Sequence, residues 1–418
     1  MGAGGYNPDE RPGHGKFSRQ LRVGRLSLNA PQIISLGCRM NIAESEKMRA
    51  MLAGERDLVV VNSCAVTGEA LAQTRKAIRR ARRDHPTARL VVTGCAAEVD
   101  RAAIGIMDEV DGLVANAAKL DPRAWNVAGD VAPIAPARTR AFIAVQNGCD
   151  HACTFCVIPL GRGASRSLSI AHVLHETEAH LMAGAKEVVL TGVDLTSWGH
   201  GLTGEPRLGD LVQAILAAFP ALPRLRLSSV DGIEIDPLLA ELIAHEPRLM
   251  PHLHLSLQHG SDLILKRMKR RHSRADAVKL VARLKAQRPD IAVGADLIAG
   301  FPTETDAHHA ENLSIIDELE IVHAHVFPYS PRPGTPAARM PQVARDVVKS
   351  RAADLRERAA ARRAAWLTSL VGETLPVLAE RDGTGYAPNY ARVALPPCTQ
   401  AGTIVDVTVH EVREGLLG

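Results

Sequence analysis

Residues 141–167 read AFIAVQNGCDHACTFCVIPLGRGASRS. The first six, Ala141–Gln146, are a short apolar run of the kind that becomes a buried strand. The chain behind it breaks at Gly148 and delivers three cysteines, Cys149, Cys153 and Cys156, in the spacing C-x3-C-x2-C. Thiolates are the usual ligands of iron–sulfur clusters, which ordinarily take four. Three in one tight loop hold three irons of a cubane and leave the fourth open to a substrate. The alternative is zinc with His151 as fourth ligand. His151 lies inside the loop, two residues before Cys153, which is cramped for tetrahedral closure.

Downstream, the pattern of a short β-branched run followed by a helical stretch repeats. Glu187–Leu190, Leu225–Ser228, His252–Leu257, Ile291–Ile298 and Val322–Phe327 join Ala141–Gln146 as candidate strands. Six βα units in a row predict a parallel (β/α)6 partial barrel over residues 139–368, with its chemistry at the carboxyl ends of the strands. Arg345–Leu370 reads as one long Arg/Ala-rich helix. Residues 369–418 change character: Thr374–Ala379, Tyr390–Leu395 and Ile404–Val409 are alternating or β-branched runs separated by Gly and Pro, which predicts a small all-β module or short barrel.

Upstream, Ile33–Leu36, Leu58–Val61 and Leu90–Val92 read as buried parallel strands, with helices over Ile42–Leu52 and Glu69–Ala81. This is a doubly wound α/β domain, residues 31–125, preceded by a disordered tail (1–30) and followed by a Pro-containing linker (126–138). Each of its three strands is followed almost at once by a cysteine: Cys38, Cys64 and Cys95. Successive parallel strands carry these thiols to one carboxyl edge of one sheet, where open α/β sheets bind their ligands. A second three-thiolate cluster is the expectation, with buried structural cysteines as the bland alternative. Cys398 stands alone in the β module and is expected to be a bystander.

Composition sets the limits. A chain of 418 residues exceeds one ordinary core, so two or three domains are expected. Aromatics are only 3%, so Leu, Val, Ile and Ala must build the cores. No apolar run approaches the roughly 20 residues of a membrane span, and the first thirty residues lack a signal-peptide pattern. Cytoplasmic placement, no membrane association and a monomer are expected. Seven cysteines, an odd number in a large chain, suit metal ligation in a reducing compartment better than disulfides.

Five segments together resemble the radical S-adenosylmethionine methylthiotransferase family: 35–46 (SLGCRMNIAESE), 61–70 (VNSCAVTGEA), 147–167, 255–268 (LSLQHGSDLILKRM) and 296–304 (DLIAGFPTE). NSCAVTGEA and RGASRS look closest to the branch acting on threonylcarbamoyladenosine at position 37 of tRNA. The other branches act on isopentenyladenosine or a ribosomal-protein aspartate. The resemblance implies two 4Fe–4S clusters, S-adenosylmethionine used twice per turnover, and a flavodoxin- or ferredoxin-like electron donor. It also implies tRNA as the partner and a TRAM-like (OB-like) fold for the C-terminal module. Chemistry would run on the clusters, with no side-chain acid or base. Phe155 would support the cofactor's adenine, and Thr191, Gly192 and Asp194 its amino end. Ser256, Gln258 and Asp296 would face the same mouth, or serve as ordinary polar residues at strand ends. His259 and Thr303 depart from the family's usual Ser and Gly, which puts their local contacts in question.

For the nucleic acid, the basic stretches are 75–83, 266–274 and the arginines of the long helix (Arg351, Arg356, Arg358, Arg362, Arg363). Charged helix faces are usually just solvated. The best candidates, Lys266, Arg267, Lys269, Arg270 and Arg271, follow closely on a mouth strand. Residues 371–418 carry three basic side chains (Arg381, Arg392, Arg413) against six acidic ones, a poor phosphate binder by itself. A non-enzymatic alternative, an iron–sulfur or zinc RNA-binding protein, would explain the cysteines but not the six-unit barrel.

Overall fold

The computed structural model describes residues 28–128 and 139–418. Most of the expected tail (1–27) and of the linker (129–138) therefore lies outside the described residues. The flanks that are described are tied in: the Leu28 amide donates to Asp57 Oδ1 at 2.8 Å, and Val127 packs against Trp125 and its neighbours.

In the first unit Gln32–Ser35, Leu58–Ser63, Arg89–Gly94 and Gly112–Leu113 form one parallel sheet in that order. Leu58–Ser63 is buried at every position, which is why it reads as a continuous apolar run. One face (Leu58, Val60, Val91) packs under the helix Arg39–Met51 through Met48 and Leu52; the other (Val59, Val61, Leu90, Val92) packs under Gly68–Asp84 through Ile78 and Ala81.

The second unit is the expected parallel barrel, open along one side. Arg140–Ala144, Glu187–Thr191 and Arg224–Leu227 pair in parallel. The third strand breaks at Ser228 and resumes as Ser229–Val230, which pairs with His252–Gln258, then Ala292–Ala299 and Ile321–Pro328. No pairing joins the first strand to the sixth among the described residues. The long helix Arg345–Ser369 sends Ala352, Leu355 and Ala359 into the barrel's apolar core.

The C-terminal unit is a sheet of six short strands around Val377, Val393, Val409 and Leu417. The expected strand 390–395 is shorter, Arg392–Ala394, because Tyr390 takes a left-handed turn (φ 70°). Its Tyr386–Asn389 turn is held against the barrel's strand starts: Arg224 donates to Tyr386 O, Arg226 donates to Pro388 O, and Arg140 pairs with Glu380 at 2.8 Å. No described helix is long and apolar enough to cross a membrane.

Candidate metal and cofactor site

Three adjacent strands end in three thiols. Cys38 caps the helix Arg39–Met51, Cys64 follows Leu58–Ser63, and Cys95 opens the short helix Cys95–Val99. Two glycines make the approach possible. Gly37 (φ +89°) lies so close to Cys64 that a Cβ would sit 2.6 Å from both its Cβ and Sγ, and at Gly94 (φ +89°) a Cβ would meet Ser63 O at 2.5 Å. The three thiols sense one another. Burial pushes Cys64 up to about 11, Cys38 and Cys95 add to that, and a backbone hydrogen bond with Val66 opposes it. Burial also raises Cys95, while the nearby Arg162 guanidinium favours its thiolate.

The barrel thiols sit in a loop stitched in place from below: Thr154 N donates to Met268 O, Thr154 Oγ1 donates to Arg267 O, and Ala337 N donates to Thr154 O. Backbone amides of His151 and Ile158 point at Cys149 Sγ and Cys156 Sγ, each at 3.4 Å. Burial pushes Cys149 up to about 12, with Asp194, Cys156 and Cys153 adding to it, and Cys156 up to about 11. Cys64, Cys95, Cys149 and Cys156, each raised by burial and by a neighbouring thiol, resist ionisation singly. A polynuclear cation bound between them supplies the missing counter-charge, and soft sulfur donors in threes suit iron–sulfur clusters. Both sets fit that group.

The two sets face one another across the domain boundary. The helix Ile158–Arg162, which follows the barrel loop, lies on the N-terminal set: a Cβ on Gly161 would stand 3.3 Å from Cys95 Cβ. Asn116 Nδ2 reaches Gly161 O at 2.5 Å, and Cys156 feels the charge of Cys95. Buried Arg162 binds Glu44 Oε1 at 2.9 Å and Asn41 Oδ1 at 2.7 Å, and Lys119 binds Glu44 from the other side at 2.5 Å. This network was not anticipated; its members are scattered polar residues with no local signature.

The residues expected around the cofactor separate into two groups. Thr191, Gly192 and Asp194 lie at the mouth beside the loop. Gln146 Oε1 accepts from Asp194 N at 2.9 Å, and Asp194 Oδ2 stands 3.8 Å from Cys149 Sγ. Asp194 is engaged by His151 Nε2 at 2.7 Å and Ser197 Oγ at 2.6 Å. Burial opposes its charge, but these hydrogen bonds outweigh it and hold the carboxyl below its usual range. His151 Nε2 also lies 2.9 Å from Arg271, and His151 groups with Cys149 and Asp194 rather than with all three thiols. Phe155 meets Phe301 edge-on at 6.5 Å. Ser256 is half-buried, its carbonyl bound by Arg270, and Gln258 takes a left-handed turn (φ 73°) where the strand register slips. Asp296 faces a different set of partners: His254 and His325, each at 3.1 Å to the same oxygen, on the two flanking strands.

In the basic stretch 266–274 the cations divide between inward and outward positions. Arg270 is turned inward, bonded to Asp231 at 2.9 Å and Ser256 O at 2.8 Å, with its other amino group 3.6 Å from Cys153 Sγ. Its side chain lies against the thiol loop. Arg271 pairs with Glu234 at 2.6 Å and with Asp231, and Arg267 with Thr303 O. Lys266, Lys269 and Arg271 are exposed, and of these only Arg271 is held in ion pairs with carboxylates among the described residues. The arginines of 75–83 and of the long helix are largely paired too, Arg75 with Asp100, Arg82 with Asp111, Arg351 with Glu304 and Asp306, and Arg362 with Glu320.

Residues 143–314 match the radical SAM superfamily, and residues 31–115 match the uncharacterized protein family UPF0004. The threonylcarbamoyladenosine tRNA methylthiotransferase MtaB of Rickettsia prowazekii is 40% identical, over 92% of this chain and 96% of its own. The chain belongs to the radical S-adenosylmethionine methylthiotransferase family. As in the rest of that family, its cofactors are S-adenosylmethionine and 4Fe–4S clusters. Among other methylthiotransferases, the Thermotoga maritima MtaB is 34% identical over 84% of this chain and 86% of its own. A tRNA-2-methylthio-N(6)-dimethylallyladenosine synthase of Rickettsia rickettsii is 32% identical over 90% and 96%. The radical S-adenosylmethionine methyltransferase TsrM of Kitasatospora setae superposes with a TM-score of 0.51 at 16% identity, covering 71% of this chain and 66% of that one, a likeness of fold.

Proposed function

We propose that this chain is a tRNA methylthiotransferase that converts threonylcarbamoyladenosine at position 37 to its 2-methylthio derivative. The observation that carries the reading is the meeting of two three-cysteine sets, from two domains, across one buried interface. Cys149, Cys153 and Cys156 would hold the cluster that serves S-adenosylmethionine, and Cys38, Cys64 and Cys95 would hold the second, the source of sulfur. When bound, these groups supply the one-electron and sulfur chemistry that no side chain possesses.

The chain's own residues position and shield. Amides of His151 and Ile158 and the Arg270 guanidinium direct hydrogen-bond donors at sulfur, which favours the thiolate form. Gln146 fixes the backbone at Asp194, whose carboxylate, held ionised by His151 and Ser197, offers a place for the cofactor's ammonium group. Thr191, Gly192, Ser256 and Gln258 border that mouth, and Phe155 lies on the apolar side for the adenine. The exposed Lys266 and Lys269 give phosphate contacts at the rim. An anticodon-loop adenosine suits the site because loop bases can be splayed out of the stack. The reading includes a flavodoxin- or ferredoxin-like electron donor, a monomer, and the cytoplasm as the place of action.

The substrate is tested by mass spectrometry of tRNA nucleosides from a strain lacking the protein. Loss of the methylthio form of threonylcarbamoyladenosine with retention of its parent is expected. Loss of the isopentenyl-type product, or of a ribosomal-protein modification with tRNA unchanged, would assign the chain to another branch.

A further inference from the structure

All three units of the fold converge on Tyr390. Its hydroxyl accepts from Arg39 at 3.1 Å and from Arg140 at 3.1 Å, and the Arg226 guanidinium lies 4.6 Å from its ring centre. Two of these cations are balanced in place, Arg140 by Glu380 at 2.8 Å and Arg226 by Glu187 at 3.0 Å. Arg39 has no carboxylate partner among the described residues; the phenol is its polar contact. Arg226 is fully buried and paired, as buried guanidinium groups ordinarily are, whereas half-buried Arg39 brings to the same ring a cation with no carboxylate beside it among the described residues.

A second group at the same ring is also unsatisfied. His252 is 7% exposed, stacks on Tyr390 with centroids 4.9 Å apart, and has a buried Nδ1 without a hydrogen-bond partner. Burial and the Arg226 charge hold it neutral. Thus one spare guanidinium and one neutral, spare hydrogen-bonding ring share a single tyrosine. Such a pair suits a small ligand fragment that carries a carboxylate and a hydroxyl or amide group, and it rejects a hydrocarbon, which would leave both groups desolvated and unpaired.

Position connects this place with the reaction. Arg39 is the residue after Cys38, so its cation stands within one side chain's reach of the thiol set that hands over sulfur. In adenine, the carbon that receives sulfur and the carbon that bears the substituted amino group are separated by a single ring nitrogen. Whatever hangs from that amino group must therefore extend close to Cys38.

We propose that Arg39, presented on Tyr390 beside Cys38, takes the carboxylate of the target adenosine's N6 substituent, with His252 bonding its neutral polar groups. This rests on the substrate reading above and supplies its chemical basis. The threonylcarbamoyl group carries a carboxylate, a hydroxyl and a urea, whereas a dimethylallyl group carries none of them. An RNA phosphate offers the same anionic chemistry, and the experiment separates the two sources.

The test uses the full chain reconstituted with iron and sulfide under anaerobic conditions with S-adenosylmethionine present. Binding is measured for three versions of one anticodon stem-loop RNA, bearing threonylcarbamoyladenosine, dimethylallyladenosine or plain adenosine. The unaltered protein should prefer the first over the third by about ten-fold or more, the scale of one charge-assisted hydrogen bond. Arg39→Met should erase that preference by weakening only the threonylcarbamoyl RNA. Arg39→Lys, which keeps the charge, should restore most of it and so exclude misfolding as the cause. Equal weakening of all three RNAs with a shallower salt dependence would show that Arg39 meets a phosphate and overturn the proposal. A preference that survives Arg39→Met would overturn it as well. If the unaltered protein methylthiolates only the dimethylallyl RNA, the substrate reading itself fails, a result distinct from either of these.

Discussion

At the scale of single residues, two positions decide whether the thiols can do their work. Gly37 adopts φ +89° with Cys64 directly over it, so Gly37→Ala adds both backbone strain and a 2.6 Å clash with the Cys64 side chain. Iron bound per chain should fall by about half, since only one of the two equivalent cluster sites is struck; unchanged iron content would show that the N-terminal thiols do not hold a cluster. Arg270 is the second. It is buried, donates to Cys153, and is itself held by Asp231. Arg270→Gln keeps a donor but removes the charge. It should make the barrel-side cluster harder to reduce, which an anaerobic redox titration followed by electron paramagnetic resonance reads directly, with tRNA affinity at the rim governed instead by Lys266 and Lys269. The six thiols were legible in the sequence because each follows a strand. The inward turn of Arg270 was not. In the run KRMKRRHSR it is one cation among many, and the acid that captures it, Asp231, arrives from another βα unit.

At the scale of elements, the six barrel strands and the three thiol-bearing strands were readable from hydrophobic period, because parallel strands buried on both faces become unbroken apolar runs. What could not be read was pairing across strands. The His254–Asp296–His325 contact depends on the register of three strands, and the break of the third strand at Ser228 leaves the apolar pattern unaltered. The docking of the β module was also hidden, since it turns on a fully buried carboxylate, Glu187, at the start of the second barrel strand. Burial opposes the charge on Glu187, but Arg226, Arg140 and Arg224 outweigh it, so its pKa is lowered in the folded protein. Its contribution is therefore fully present above the unfolded carboxylate value, about 4.3, and is lost as pH falls through the lower folded value. Glu187→Gln should lower the thermal midpoint at neutral pH by leaving buried guanidinium groups uncompensated, and the deficit against the unaltered protein should shrink in acid. A deficit independent of pH would mean that the carboxylate's charge is not what holds the module.

At the scale of the whole molecule, a buried ion network joins the two thiol-bearing units. Glu44 comes from the N-terminal unit's first helix and Arg162 from the helix after the barrel loop, and Lys119 completes a triad in which all three side chains are about 2% exposed. Removing one member of a buried ion network typically costs about 3–5 kcal/mol, so Glu44→Ala should loosen the apposition of the two thiol sets while leaving each set's own strands intact. That distinction is what separates this architecture from two independent cluster proteins on one chain. Ala at Cys38, Cys64 and Cys95 together should leave a folded protein with one cluster that still cleaves S-adenosylmethionine to 5′-deoxyadenosine but forms no methylthiolated RNA. Ala at Cys149, Cys153 and Cys156 should abolish both products while sparing the other cluster. Glu44→Ala should fall between them, with both clusters bound and 5′-deoxyadenosine still formed. Its methylthiolated product should drop more steeply, because only sulfur transfer requires the two sets to meet over one adenosine. The assay is anaerobic with dithionite as reductant, following the two products separately. If methylthiolated RNA still accumulates without the N-terminal cysteines, those thiols are not in the sulfur-transfer path; if Glu44→Ala reduces both products in equal proportion, the buried triad supports folding alone and does not register the two sites.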